Sequence, residues 1–212
     1  MDDHGAAFEF NAKCLPGGDC GDDPPGSGLY SAAAQGLRDP VAFAGASLKF
    51  WKREELAKGM LRWSKTTVPT SLTTLPKRLV RDAVRLHKCV LGFAGDRRNP
   101  TPTVLAHEVV TKCAAEPRLG VEVYCQLLKH ADGNPDPESL AQGFALLALC
   151  CAHFAPGDRL SPFVHMFLRR HRRGKLTRAL YATEYRERNE GRVGAHAVAG
   201  PDQLLDTVRT LL

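Results

Sequence analysis

The sequence predicts an all-α fold, a compact bundle of about six to eight helices. Three observations predict it. Apolar residues recur at three- and four-residue spacing along most of the chain. The stripes follow one another after short joins of Pro, Gly, Asp and Asn. No stretch alternates apolar and polar residues over several strand lengths.

Residues 1–46 are rich in Gly, Ala, Pro and Asp and read as a loosely ordered leader. Asp2, Asp3, Glu9, Asp19, Asp22 and Asp23 stand against Lys13 alone, which puts −5 on residues 1–25. The formal net charge of +6 therefore leaves +11 on residues 26–212, an acidic leader ahead of a basic body. The helical domain is expected over residues 47–190. Phe50, Trp51, Leu56, Met60, Leu61 and Trp63 supply its first large apolar groups.

Pro76 opens a helix over 77–93 whose inward stripe is Leu79, Val80, Ala83, Val84, His87, Val90 and Leu91. Gly95-Asp96 stops it. Pro102 starts a second helix to about 115, with Val104, Leu105, Glu108, Val109 and Cys113 near one side. The central pair follows in residues 116–154. Pro117 suits a first helical turn, and Leu119, Val123, Leu127 and Leu128 form one stripe with Tyr124 beside it. The join HADGNPDPES closes that helix and opens the next, with Asp136 as N-cap, Pro137 in the first turn and Glu138 at the positive helix end. The second member is apolar on most faces from Phe144 to Cys151, so it needs helices all round it. Ala155 to Asp158 is a turn, Ser161 caps a helix carrying Phe163, Val164, Phe167 and Leu168, and Gly174 breaks it. A last amphipathic helix over about 175–189 uses Leu176, Ala179, Leu180 and Tyr185. Residues 191–212 read as a linker and a short apolar-rich segment.

Composition excludes several classes. The start of the chain is acidic and Gly-rich, unlike a secretory signal, and the longest apolar run is about half a membrane span. A cytoplasmic protein is expected. Cys89, Cys113, Cys125, Cys150 and Cys151 sit in helical patterns and read as core residues of a reducing compartment, while Cys14 and Cys20 lack zinc-site spacing.

Catalytic motifs are missing too. His107-Glu108 would need histidine at 111, which is Thr111. Ser139 is explained by capping, and Glu122 and Glu138 read as hydrogen-bonding groups that fix the two-helix join. No catalytic residue, cofactor site or metal site is assigned. The functional lead is basic: Lys77, Arg78, Arg81, Arg85 and Lys88 on one helix, Arg97 and Arg98 after it, and Arg169, Arg170, Arg172, Arg173, Lys175 and Arg178 around a helix break. Such clusters suit an acidic macromolecule. Non-specific nucleic-acid binding is a third alternative that basic charge permits, although no reading helix or aromatic-interleaved sheet is recognisable.

Residues 122–150, EVYCQLLKHADGNPDPESLAQGFALLALC, resemble the signature of the myosin-tail-homology-four domain of unconventional myosins, some kinesins and related adaptors. MLRWSKTTVPTSLTTL at 60–75 and VLGFAGD at 90–96 resemble two further motifs of that family, in the expected order. The resemblance spans roughly residues 50–190. It matches Asp96, Glu122, Tyr124, Gln126, Asn134, Pro135, Pro137 and Glu138, with Phe144 where the family usually has tryptophan and Ala94 where it often has methionine. It implies a non-catalytic cytoskeletal module of a myosin- or kinesin-like protein, with any motor elsewhere in a longer parent. It further implies microtubules as partner through acidic tubulin tails, cargo or adaptor proteins, and a FERM module nearby.

Overall fold

Burial and hydrogen bonding in the computed structural model follow the apolar stripes closely along the chain. The structure describes residues 36–98, 101–192, 198 and 200–211. The expected leader up to residue 35, with Cys14 and Cys20, lies outside the described residues.

Nine α-helices occur among the described residues. They are α1 (Pro40–Gly45), α2 (Arg53–Lys58), α3 (Lys77–Phe93), α4 (Pro102–Ala115), α5 (Pro117–Ala131), α6 (Pro137–His153), α7 (Ser161–Arg170), α8 (Gly174–Glu190) and α9 (Pro201–Leu211). A 3-10 turn at Phe50–Lys52 precedes α2. The fold is all-α, as the periodicity predicts. Among the described residues, an isolated antiparallel bridge between Leu37 and Thr73 is the extent of β pairing.

The helix starts are chemical. Asp39 accepts from the amides of Val41 and Ala42 to open α1, and Asp136 accepts from Glu138 and Ser139 to open α6. Proline occupies the first turn of α1, α4, α5, α6 and α7, where no amide donor is needed. Gly133 ends the α5 turn at φ +67°, a conformation most residues avoid.

Packing is layered around α5 and α6. Helix α3 lies on α4 and α5, α6 lies on α5 and α8, and α7 lies on α8. Residues Phe144 to Cys151 of α6 are all 4% exposed or less, so this helix is enclosed on every side. The loop before α3 is drawn inward as well, with Val68 and Leu72 in the same core.

Several expectations change. The leader does not extend to 46: Arg38 donates its amide to Leu72, and Phe43 of α1 is 2% exposed, so residues 36–46 are part of the packed body. The short C-terminal segment is the helix α9, which packs on α4 and α6 and buries Leu204 in the core, while most of the expected linker lies outside the described residues. Phe50 and Trp51 stay in solvent, as do Val104 and Tyr185, each placed inside by its stripe. Ser161 is the first residue of α7, with its hydroxyl given to Glu184 instead of the helix amides.

Candidate functional site

Glu122, Gln126 and Asp96, three of the matched polar residues, have buried side chains and form a frame. Glu122, on the inner face of α5, is fully enclosed. One carboxylate oxygen accepts from the Leu72 amide at 2.8 Å and the Gln126 amide group at 2.8 Å; the other accepts from the Thr73 amide at 2.7 Å and its hydroxyl at 2.5 Å. Burial raises the pKa of this carboxyl, and its four donors pull against that rise. Gln126 also donates to the Ala83 carbonyl at 3.0 Å, which ties α5 to α3. By sequence, Glu122 is expected to fix the α5–α6 join. Instead it fastens the loop before α3, fifty residues away in sequence.

The join itself belongs to Asp96. Its Oδ2 accepts from Trp63 Nε1 at 3.3 Å and Ser139 Oγ at 3.0 Å, and lies 3.1 Å from His130 Nε2. Asn134 turns the loop by accepting from the Asp136 amide and donating to Ser139 Oγ. A serine, a histidine and a carboxylate therefore meet, but not as a hydrolytic set. Ser139 and Asp96 both address the same imidazole nitrogen, whereas a base needs one nitrogen for each. The other nitrogen, Nδ1, has no partner and faces Gly143. Burial lowers the His130 pKa, with Asp96 opposing that shift. This is a structural knot.

The remaining matched positions divide between core and surface. Tyr124 donates to the Phe154 carbonyl at 2.9 Å and meets that ring edge-on. Pro135, Pro137 and Glu138 are exposed in the loop and first turn of α6. Phe144 is stacked on Phe167, with His171 tilted beside both rings.

The basic candidates divide by what they touch. Arg85 reaches both oxygens of Glu108 at 3.0 and 2.8 Å, lowering that carboxyl's pKa. Arg78 pairs with Glu116 at 3.3 Å, and Arg97 reaches Thr67 Oγ1 at 3.5 Å. Arg173 turns inward, its guanidinium 4.2 Å over the Phe144 ring. The backbone explains that turn: Arg172 has φ 53°, so the break between α7 and α8 sends Arg172 outward and Arg173 onto the core. Lys77, Arg81, Arg98, Arg169, Arg170, Arg172, Lys175 and Arg178 are exposed, and Lys88 is half-buried. The α3 set and the α7–α8 set belong to different layers of the bundle, so no single helix face gathers them.

Other chemistry is muted by burial. His87 is driven down to about 3, chiefly by desolvation, and its Nδ1 accepts from the Val68 amide. Lys129 is pushed down to about 8 by burial while its ammonium donates to the Arg62 carbonyl. Cys89 and Cys151 thiols are pushed up to about 12, which makes them poor nucleophiles. Among the described residues, no group of three or more His, Cys, Asp or Glu is arranged to hold a metal. No described helix is long and apolar enough to cross a membrane. Sequence reasoning missed Lys129 and the solvent-facing turn at Leu48, Phe50 and Trp51, whose basic and aromatic neighbours were the available signal.

Comparison with known proteins agrees with this geometry. The family model of the MyTH4 domain matches residues 106–195. The high molecular weight form of myosin-1 from Acanthamoeba castellanii is 42% identical over 151 residues, 71% of this chain and 9% of that protein. Human unconventional myosin-XVB is 30% identical over 112 residues, 51% of this chain and 4% of that protein. The chain thus spans a small fraction of the relatives it matches. Among solved structures, the Dictyostelium discoideum myosin VII MyTH4-FERM MF1 domain (mutant 2) aligns with a TM-score of 0.62 at 19% identity, covering 71% of this chain and 33% of that one. The human myosin 7b C-terminal MyTH4-FERM domain, solved in complex with the harmonin-a PDZ3 domain, gives 0.56 at 23%, covering 68% and 32%.

Proposed function

This chain carries a MyTH4 domain, and we propose that it serves as a non-catalytic attachment module of an unconventional myosin tail, meeting microtubules through its outward basic side chains. One observation carries the reading. Lys77, Arg81, Lys88, Arg98, Arg169, Arg172, Lys175 and Arg178 have no carboxylate partner among the described residues, on a body whose charge is strongly positive. Exposed cations of this kind speed encounter with an acidic partner more than they fix its orientation. The acidic tails of tubulin supply such a partner. The module acts in the cytoplasm on the cytoskeleton, with a FERM module beside it in the longer protein.

Co-sedimentation with microtubules at rising salt tests this. Binding should fall steeply with salt and with proteolytic removal of the tubulin tails. Replacing Arg169, Arg172, Lys175 and Arg178 by glutamine should weaken it severalfold. Salt-independent binding, or none, rejects the electrostatic reading. Equal binding to DNA of any sequence would move the assignment to a general polyanion binder.

A second reading, a cargo or adaptor scaffold without microtubule contact, is favoured by the similar human domain solved with a PDZ domain. It requires a protein partner whose binding tolerates salt and survives loss of those four cations.

A further inference from the structure

Residues 46–53 form a tight turn whose large apolar side chains lie outside the core. The turn holds its own shape. Ser47 Oγ accepts from the Lys49 amide at 3.2 Å, and Arg53 reaches back to the Ser47 carbonyl at 3.1 Å. The Lys52 amide closes on the Lys49 carbonyl at 3.0 Å. On this frame Leu48 is 97% exposed, Phe50 70% and Trp51 67%. The Phe50 and Trp51 rings meet edge-on at 5.0 Å, so they form one apolar unit. Large apolar side chains adjacent on an ordered turn mark a surface that meets something other than water.

The surrounding charge indicates what that is. Lys49, Lys52 and Arg53 interleave with the apolar groups, and Glu54 is occupied by Lys58 at 2.6 Å. Lys49 and Lys52 also line a groove of about 610 Å³ that extends to Thr67, where Arg97 arrives. Glu55 also lines that groove, so against Lys49, Lys52, Arg53 and Lys58 stand Glu54 and Glu55, and the apolar tip sits beside a surface that is positive on balance. A peptide groove captures side chains by enclosing them, but Leu48 is bare on nearly every side. A lipid surface suits a bare tip: the acyl boundary accepts leucine, phenylalanine and tryptophan, while anionic headgroups accept the lysines.

We propose that the turn at residues 48–52 is a docking tip for an anionic bilayer, placing Leu48, Phe50 and Trp51 at the headgroup–acyl boundary with Lys49 and Lys52 against lipid phosphates and carboxylates. The inference does not rest on the microtubule reading. One tip of this size gives weak, reversible attachment.

Flotation of the 212-residue chain with vesicles tests it. Vesicles containing roughly a third phosphatidylserine should retain the chain about tenfold better than pure phosphatidylcholine. The combined Leu48→Ser, Phe50→Ser, Trp51→Ser variant should lose binding with an unchanged circular dichroism spectrum, because those side chains lie outside the core. Lys49→Gln and Lys52→Gln should each lower binding about fivefold. Brominated acyl chains should quench Trp51; the Trp51→Phe variant, left with Trp63, should show no quenching. No binding to the anionic vesicles overturns the proposal. So does binding that the triple-serine variant retains, which would assign it to long-range charge elsewhere. A lipid-free change from dimer to monomer in that variant would give the tip to a second copy of the chain and overturn it equally.

Discussion

Removal of the Glu122 carboxylate should be among the most damaging single changes in this domain. The group accepts four hydrogen bonds, two of them from the backbone amides of Leu72 and Thr73. Both residues are buried, Leu72 at 0% exposure and Thr73 at 4%, so water cannot replace the lost acceptor without opening the loop. An orphaned buried donor costs about 1–3 kcal/mol, which makes about 2–6 kcal/mol for the two amides in Glu122→Ala. Glu122→Gln is a finer probe. Its amide nitrogen faces donors at one end of the site, so at least one backbone amide is stranded at about 1–3 kcal/mol. Typical domains have about 5–15 kcal/mol in total, so the alanine change should shift the urea midpoint strongly. Hydrogen exchange locates the effect: the Leu72 and Thr73 amides should lose protection ahead of the α6 amides. A loss under about 1 kcal/mol, or amide protection unchanged at 72 and 73, would refute the reasoning that this carboxylate anchors the loop.

A Cβ at Gly143 would stand 2.5 Å from His130 Nδ1, so Gly143→Ala should cost about 1–3 kcal/mol and alter Trp63 fluorescence through Asp96. His87 and His130 are both held below the ordinary imidazole value by burial, His87 at about 3. The unfolded chain then takes up protons that the native state refuses, so stability is complete above about pH 6.5 and declines as pH falls below it. Urea midpoints between pH 7.5 and 5 should show this slope, lessened in His87→Gln. Phe144→Ala should cost about 3–5 kcal/mol by opening the core beneath Arg173, and a double-mutant cycle with Arg173→Gln should show coupling of about 0.5–2 kcal/mol. Arg78→Gln and Arg85→Gln combined with Glu116→Gln and Glu108→Gln should change microtubule co-sedimentation little, since each ion pair removed carries no net charge.

Local chemistry made the helices legible and distance hid the frame. Asp136 and Pro137 announce α6 because capping acts within three residues, and the structure keeps both roles. The solid apolar run of α6 signals its enclosed position for the same reason. Glu122 was recognisable as a hydrogen-bonding group, but nothing in its neighbourhood names Leu72 and Thr73 as its donors. Phe50 and Trp51 show the opposite error. Large aromatics usually bury, so a stripe reading puts them inside, and the exposed turn is visible only once Phe43 and Met60 are seen to fill that part of the core. Among the basic residues, Arg172 and Arg173 differ by a single position, and the positive φ that separates them has no sequence marker stronger than Gly174 just beyond.

That one backbone angle matters for the surface field. Had α7 continued through the break, helical phase would have moved Arg172 and Arg173 together around one cylinder. The positive φ of Arg172 instead interrupts the helical phase, and Arg173 settles on the Phe144 ring. On α3 the subtraction is made by neighbours: Glu108 of α4 takes Arg85, and Glu116 takes Arg78. A polyanion approaching those two arginines must first displace a carboxylate already in place, so they add little net attraction. What remains is Lys77, Arg81 and Lys88 on α3, against Arg169, Arg172, Lys175 and Arg178 at the α7–α8 break. Count and exposure both favour the break, where α8 also starts and adds the partial positive charge of a helix N-terminus. Under the proposed microtubule reading, neutralising the α7–α8 break should therefore weaken co-sedimentation more than neutralising α3.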